Sequence, residues 1–231
     1  MAKMKRIPKK KLKEPDEFIT TTAKVLLWIR ENLKLILTGI IVGALIASSI
    51  VLWRLRTEKR EAEALNSFHR ASEILRSTED PSSKDYQEAM DEFERIHREY
   101  PKTEAAQLAQ LRLGQGFLEL KQYDRAVELY RKFLEGNPGE RLYRLFALQN
   151  LGYAYEGLKD YQRALDSFQE LVNMGESFLQ PWAYINSGRC YEKLGKREEA
   201  LENYRIFLEK YPDSIMVLMV KNRLSRLEVE K

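Results

Sequence analysis

The chain has 231 residues, a formal net charge of +4 and one cysteine, which excludes an intrachain disulfide or a metal cluster built on several thiolates. Residues 1–34 carry ten Lys or Arg against four Asp or Glu, whereas the remainder carries 29 against 31. The excess of basic residues therefore lies in the N-terminal segment, and the rest of the chain gives no signal for nucleic-acid binding.

Residues 1–15 are basic and lack an apolar face, which predicts a disordered cytoplasmic tail. Such a tail either attracts anionic lipid or serves only to fix the topology, and both interpretations stay open. Asp16 is placed to cap a helix over 17–31. Apolar residues such as Leu27 and Trp28 predict that segment 16–34 lies as an amphipathic helix in the membrane interface.

An uncharged stretch of 19 residues, 35–53, follows this helix. As a helix it is about 28 Å long, close to the ~30 Å hydrocarbon core of a bilayer. Trp28 and Trp53 bracket it as interfacial anchors. The long polar segment in front of it favours an uncleaved signal anchor over a cleaved signal peptide. The sequence therefore predicts a single transmembrane helix.

Within this span, small residues recur at a spacing of four, at Gly39, Gly43 and Ala47. Such spacing lets two membrane helices pack closely, so we expect a helix-packing face and a possible homo-oligomer. Within 15 positions of the span, three basic residues precede it and four follow it. The local distribution of charge therefore leaves the orientation of the helix in the membrane ambiguous. The whole tail holds ten, and long domains translocate regardless of charge, which favours a cytoplasmic N-terminus.

The charged segment after the span keeps a helical pattern up to residue 76, which predicts that the membrane helix continues into the domain that follows. Residues 77–83, STEDPSS, then end the helix. The apolar face predicted for this segment consists of Ala64, Leu65, Phe68, Ala71, Ile74 and Leu75.

A motif recurs three times in the domain that follows, starting at Gly114, Gly152 and Gly188. In each copy an aromatic residue follows the glycine after 3 positions, an alanine after 12 and a second aromatic residue after 16. Glycine and alanine let two antiparallel helices cross closely, and the aromatic rings fill the space beside the crossing. Asp124 and Asp160 are placed to cap the second helices of their repeats, and Gly195 is placed to interrupt the helical backbone between the two helices of the last copy.

These motifs resemble the tetratricopeptide repeat, a helix–turn–helix unit. The resemblance implies an all-α fold over 54–231, a helical solenoid that follows the transmembrane helix and is closed by a C-terminal capping helix over 215–227. It also implies a concave groove lined by the first helix of each repeat. Leu111, Leu118 and Ile185 belong either to that groove or to the core. The expected partner-binding residues are Gln115, Tyr153, Glu156, Trp182, Arg189 and Glu192.

No phosphate-binding loop, paired-histidine metal motif or nucleophile elbow occurs in the sequence, so we expect neither enzymatic activity nor a cofactor. Protein–protein interaction is the function that the repeats indicate.

The order of basic tail, interfacial helix, span and repeats, with WIREN at 28–32 before the span, resembles the bacterial ancillary SecYEG translocon subunit family. That resemblance implies an inner-membrane anchor with periplasmic repeats. It also implies contacts with translocon subunits, a membrane-anchored periplasmic chaperone and exported client chains. Two alternatives stay open: a structural envelope scaffold coordinating peptidoglycan or outer-membrane assembly, and a cytosol-facing repeat receptor.

Overall fold

The computed structural model of the chain describes residues 17–78, 80–136 and 140–229, and all regular elements in those ranges are α-helices. The predicted tail over 1–15 and the Asp16 cap lie outside the described residues. The helices are α1 Glu17–Glu31, α2 Leu33–Arg76, α3 Lys84–Glu99, α4 Glu104–Glu119, α5 Tyr123–Gly136, α6 Arg141–Gly157, α7 Tyr161–Asn173, α8 Gln180–Lys193, α9 Arg197–Lys210 and α10 Val217–Val229.

The chain divides into two units, the first ending at Glu58 and the second beginning at Lys59. In the first unit, α1 has the bounds predicted for the helix over 17–31. The side-chain amide of Asn32 donates to the backbone carbonyl of Trp28 at 2.8 Å, where α1 ends and α2 begins. The apolar part of α2 is long and apolar enough to cross a membrane, and none of it is buried.

The second unit begins within α2, which ends at Arg76, so the predicted break after this residue is confirmed. Ala64 and Ala71 are fully buried in a cluster shared with α3 and α4. The placement of Leu65 on the buried face was wrong, because this side chain is 37% exposed. Ser67 is buried instead, and its hydroxyl accepts a hydrogen bond from Arg95 of α3 at 3.1 Å.

Helix pairs α4/α5, α6/α7 and α8/α9 form the three predicted repeats, with each helix packed on the next along the chain. At each crossing a glycine faces an aromatic ring. A Cβ added at Gly114, Gly152 or Gly188 would lie 2.6, 2.4 or 2.5 Å from the nearest ring atom. The rings belong to the residues 16 positions further on, Tyr130, Phe168 and Tyr204, which confirms the predicted register.

The turns inside the repeats agree with the predictions in part. Asp160 caps α7, accepting a hydrogen bond from the backbone N–H of Arg163 at 3.1 Å. The cap assigned to Asp124 was wrong, because α5 already begins at Tyr123 and Asp124 lies inside its first turn. Asp124 comes ten residues after its crossing glycine, whereas Asp160 comes eight after its own. As predicted, Gly195 interrupts the helical backbone between α8 and α9, with φ +72°.

The capping helix is present as α10, two residues later than the predicted 215–227. Val220 and Leu227 are its buried residues, and they pack in a cluster with Tyr204 and Phe207 of α9. The solenoid of the second unit therefore ends in a helix that covers the last repeat.

Candidate partner-binding groove

The first helices of successive repeats are joined by hydrogen bonds between their side chains. Between α4 and α6, the hydroxyl of Tyr143 donates to Glu104 at 2.6 Å. Between α6 and α8, the amide of Asn186 donates to the hydroxyl of Tyr153 at 3.1 Å. Asn186 is 1% exposed, so this bond satisfies a buried amide and holds the two helices in register.

Glu156 and Arg189 form an ion pair across the same two helices. Their side chains are 16% and 34% exposed, so the pair is partly shielded from water. The thiol of Cys190 lies 3.9 Å from the Glu156 carboxylate. Burial first and the Glu156 carboxylate second raise the pKa of Cys190 to about 12, so the thiol stays protonated at neutral pH. The two predicted residues of opposite charge thus neutralise each other.

The carboxylate of Glu192 joins three helices. It accepts hydrogen bonds from the hydroxyl of Tyr204 in α9 and from Arg223 and Arg226 in α10, the latter two at 3.2 and 2.8 Å. Burial raises the pKa of Tyr204, and the hydrogen bond to Glu192 raises it further. The side chain of Glu192 is 14% exposed, and its charge is already paired with Arg223 and Arg226 of the same chain.

The other predicted groove residues are more accessible. Trp182 is 41% exposed, whereas Gln115 and Tyr153 are half-buried. The ring of Tyr153 packs edge-on against Phe168 at 5.7 Å between centroids. The question left open for Ile185 is answered, because this side chain is 2% exposed and belongs to the core. Leu111 and Leu118 are partly buried and pack against the core.

Sequence reasoning missed a group of exposed apolar side chains beside Trp182. Phe146 of α6 and Phe178, just before α8, contact each other edge-on at 5.7 Å between ring centroids. Phe146 comes six residues before its crossing glycine, as the predicted residue Trp182 does before its own, and this shared position is the signal that would have identified Phe146. We call the four residues the apolar row; they are Leu142, Phe146, Phe178 and Trp182, with exposed fractions of 41%, 37%, 61% and 41%.

The predicted packing residues of the span lie on an exposed helix. A Cβ added at Gly39 or Gly43 would meet nothing within 4 Å, and Ala47 is exposed. Within the described ranges, no group of three or more His, Cys, Asp or Glu side chains is placed to hold a metal ion. What the described surface offers is therefore an apolar row, amides and paired charges.

The repeat geometry agrees with a comparison against known protein families. A family model described as a tetratricopeptide repeat-like domain matches residues 27–229. The chain belongs to this family. Proteins with this fold are typically non-enzymatic scaffolds, and the repeats indicate a scaffold for protein–protein interaction.

Relatives in sequence are distant. The chain is 28% identical over 138 residues to the ancillary SecYEG translocon subunit of Neisseria gonorrhoeae, which covers 59% of this chain and 64% of that protein. It is 28% identical over 111 residues to the serine/threonine-protein kinase PknD of Chlamydia caviae, covering 46% of this chain and 12% of the kinase. The chain thus spans less than two thirds of either relative.

Among solved structures, the chain is similar to the MamA RS-1 ArsTM double mutant, with a TM-score of 0.58 and 20% identity. The match covers 72% of this chain and 83% of that one. At this level of identity the likeness shows the fold, and the all-α repeat solenoid expected from the sequence is confirmed.

Proposed function

We propose that the chain is a membrane-anchored interaction scaffold that assists the Sec translocon at the bacterial inner membrane. In this proposal the N-terminus is cytoplasmic and the repeat domain is periplasmic. The observation that carries it is the presence, on one chain, of an exposed apolar helix segment over 35–53 and a repeat groove with exposed aromatic side chains. The first suits a bilayer and the second suits protein partners.

The anchor is supported by the exposure of the apolar segment of α2. A 19-residue run of uncharged side chains left in water would be a severe solubility liability, since exposed apolar patches of this size mark membrane or protein contact sites. A bilayer removes the run from water, and a helix satisfies its own backbone hydrogen bonds there.

The translocon role is supported by similarity to a protein named as an ancillary SecYEG translocon subunit. The proposed partners are translocon subunits, a membrane-anchored periplasmic chaperone and exported client chains. Two weak contacts, one through the groove and one through the Gly39–Gly43–Ala47 face of the span, act together at a high effective concentration when the partner is also held in the membrane.

A photocrosslinking amino acid at Gln149 tests the groove contact in intact cells. Gln149 is half-buried on α6, three residues after Phe146 in the apolar row. The matched control carries the same amino acid at Gln162, which is exposed on the second helix α7. We expect translocon subunits, an anchored chaperone or exported chains to be captured from position 149 and not from position 162.

Other outcomes redirect or remove the proposal. Capture only of peptidoglycan-linked or outer-membrane proteins would favour an envelope scaffold. Capture only of cytosolic proteins would overturn the periplasmic placement. Protease treatment of intact and lysed spheroplasts determines the side independently: the repeat domain should be digested in intact spheroplasts, and its protection there would place it in the cytosol.

A further inference from the structure

The connections that lead into α4, α6, α8 and α10 lie along one edge of the repeat domain. The hydroxyl of Tyr143, in the first turn of α6, donates to Glu104 at the start of α4 at 2.6 Å. Arg141, the first residue of α6, donates to the carbonyls of Met174 and Glu176, before α8, at 2.9 and 2.8 Å. These bonds place three successive connections side by side.

The same edge continues in both directions. Tyr211, in the connection before α10, donates to Gln180, the first residue of α8, at 2.7 Å. In the other direction, the Glu61 carboxylate of α2 accepts hydrogen bonds from the backbone N–H groups of Glu104 and Ala105 at 3.0 and 3.1 Å. We call this surface the connection edge; it consists of residues 100–104, 140–143, 174–180 and 211–216.

Three of the connections each expose a large apolar side chain. Leu142, Phe178 and Ile215 are 41%, 61% and 98% exposed. Leu142 and Phe178 each come ten residues before a crossing glycine, so they hold the same position in successive repeats. The turns inside the repeats lie at the other end of the helices. Among the described residues 120–122, 158–160 and 194–196, no large apolar side chain is exposed. The exposed side chains therefore recur at the connections and not at these turns.

Exposed charges of both signs lie beside these apolar side chains. Glu140 and Arg141 precede Leu142, and Glu176 comes two residues before Phe178. Burial of such charges in a dry interface is unfavourable unless each one is paired. The headgroup layer of a bilayer instead offers water and charges of both signs, with hydrocarbon directly beneath it. Apolar tips can enter that layer while the neighbouring charges stay solvated, so the composition of the edge matches a membrane surface.

The chain keeps the connection edge close to the apolar stretch of α2. Arg60, next to Glu61, donates to the carbonyl of Glu99, the last residue of α3, at 2.7 Å. Seven residues lead from Trp53, at the end of the apolar stretch, to Arg60, and a chain of that length spans at most about 25 Å in any conformation. A contact that is weak for a free domain becomes populated when an anchor holds the domain at a high effective concentration.

We infer that the connection edge lies on the surface of the lipid bilayer. Leu142, Phe178 and Ile215 enter the boundary between headgroups and acyl chains, whereas the neighbouring charges stay among the headgroups. This inference rests on one part of the proposed function, the membrane anchor over 35–53. It goes beyond that function by giving the repeat domain a membrane contact of its own.

Fluorescence quenching of the full-length chain in proteoliposomes tests the inference. An environment-sensitive dye is attached at Ile215→Cys or, as the matched control, at Lys196→Cys in the turn between α8 and α9. Cys190 is buried, so only the introduced thiol is accessible to the dye. The vesicles contain phosphatidylethanolamine and phosphatidylglycerol, with a nitroxide near the headgroup end of some acyl chains. We expect about twofold quenching at position 215 and none at position 196, because only the first position lies at the acyl boundary.

A second set of variants tests the apolar side chains themselves. In the chain labelled at position 215, Leu142→Gln combined with Phe178→Gln should remove about half of the quenching or more, because the edge loses two of its three apolar contacts with the bilayer. Leu65→Gln combined with Val229→Gln is the control, since both residues are exposed and lie outside the connection edge. This control should leave the quenching unchanged.

The remaining outcomes are distinct. Equal quenching at positions 215 and 196, none at either, or unchanged quenching after the loss of Leu142 and Phe178 overturns the inference. A dye at position 215 that is shielded from aqueous iodide but not quenched by the lipids identifies a second copy of the chain as the occupant of the edge, and this result also overturns the inference.

The same measurements separate the inference from the proposed function. If the dye is unquenched while crosslinking at Gln149 captures translocon subunits, the inference fails and the proposed function stands. If the dye is quenched but crosslinking captures only cytosolic proteins, the inference stands and the proposed role at the translocon fails.

Discussion

At the scale of single residues, each repeat turns at a residue in the left-handed backbone conformation. Lys121, Lys159 and Gly195 each follow a crossing glycine by seven positions, with φ of 57°, 62° and 72°. A residue with a Cβ is strained there by about 1–2 kcal/mol, whereas glycine is not. The turns at Lys121 and Lys159 therefore carry backbone strain, whereas the turn at Gly195 does not.

Replacing Lys159 by glycine should stabilise the repeat domain. Relief of the left-handed strain outweighs the added entropy of the unfolded chain, so we expect the free energy of unfolding to rise by about 0.5–1 kcal/mol. Urea unfolding followed by circular dichroism measures it. The control is Glu202→Gly in the interior of α9, which should cost about 1 kcal/mol. A loss of stability in Lys159→Gly would contradict the turn geometry.

The helix crossings depend on the absence of a side chain at three glycines. A Cβ at Gly152 would lie 2.4 Å from Cε1 of Phe168, far inside van der Waals contact, and both residues are buried. Gly152→Ala must therefore displace the ring, which should destabilise the domain by about 1–3 kcal/mol.

The matched control for this substitution is Gly136→Ala, where a Cβ would meet nothing within 4 Å. Adding Phe168→Leu to Gly152→Ala should recover part of the loss, because the ring that clashes is gone. Equal unfolding midpoints for the Gly152 and Gly136 variants would count against close packing at the crossing.

At the scale of helices, α10 is held to the last repeat by polar contacts as well as by apolar burial. Its buried residues are Val220 and Leu227, whereas Leu218 is 71% exposed. Glu192 binds Arg223 and Arg226, and Arg197 of α9 donates to the carbonyl of Leu227 at 2.8 Å. The helix that closes the solenoid is therefore sensitive to the charge on one carboxylate.

Glu192→Gln should loosen α10 without unfolding the other repeats. The substitution removes the negative charge to which Tyr204, Arg223 and Arg226 donate hydrogen bonds. We expect it to weaken the attachment of α10 by about 1–3 kcal/mol. Hydrogen exchange read by mass spectrometry should show faster exchange in residues 217–229 and unchanged exchange in α6. Glu202→Gln, an exposed glutamate of α9, is the control. Unaltered protection of α10 would assign its attachment to Val220 and Leu227 instead.

At the scale of the whole molecule, the sequence predicted the helices and crossings better than the groove. The offset of 16 residues between Gly152 and Phe168 is set inside one helical hairpin, so one copy of the motif defines it. The pair Glu156–Arg189 joins residues 33 apart in different repeats, and no pattern within a repeat predicts it. Which of the predicted groove residues bind a partner stays a prediction, as does the packing face of the span.

The membrane anchor gives the last prediction. If residues 35–53 span the bilayer, an arginine at its centre is costly, because it places a charge in hydrocarbon. Val42→Arg should cost about 2.5–3.5 kcal/mol of insertion free energy, and Val42→Arg combined with Ile46→Arg about twice that.

The measurement for the anchor is the fraction of protein that resists alkaline carbonate extraction from membranes. We expect this fraction to fall in the single variant and to fall further in the double variant. Leu65→Arg is the control, because Leu65 is exposed on the same helix α2 but lies beyond the apolar stretch. That substitution adds the same charge to water and should leave the membrane fraction unchanged. If the double variant resists extraction as fully as the unmodified chain, segment 35–53 does not hold the protein in the bilayer, and the proposal of a membrane-anchored scaffold fails with it.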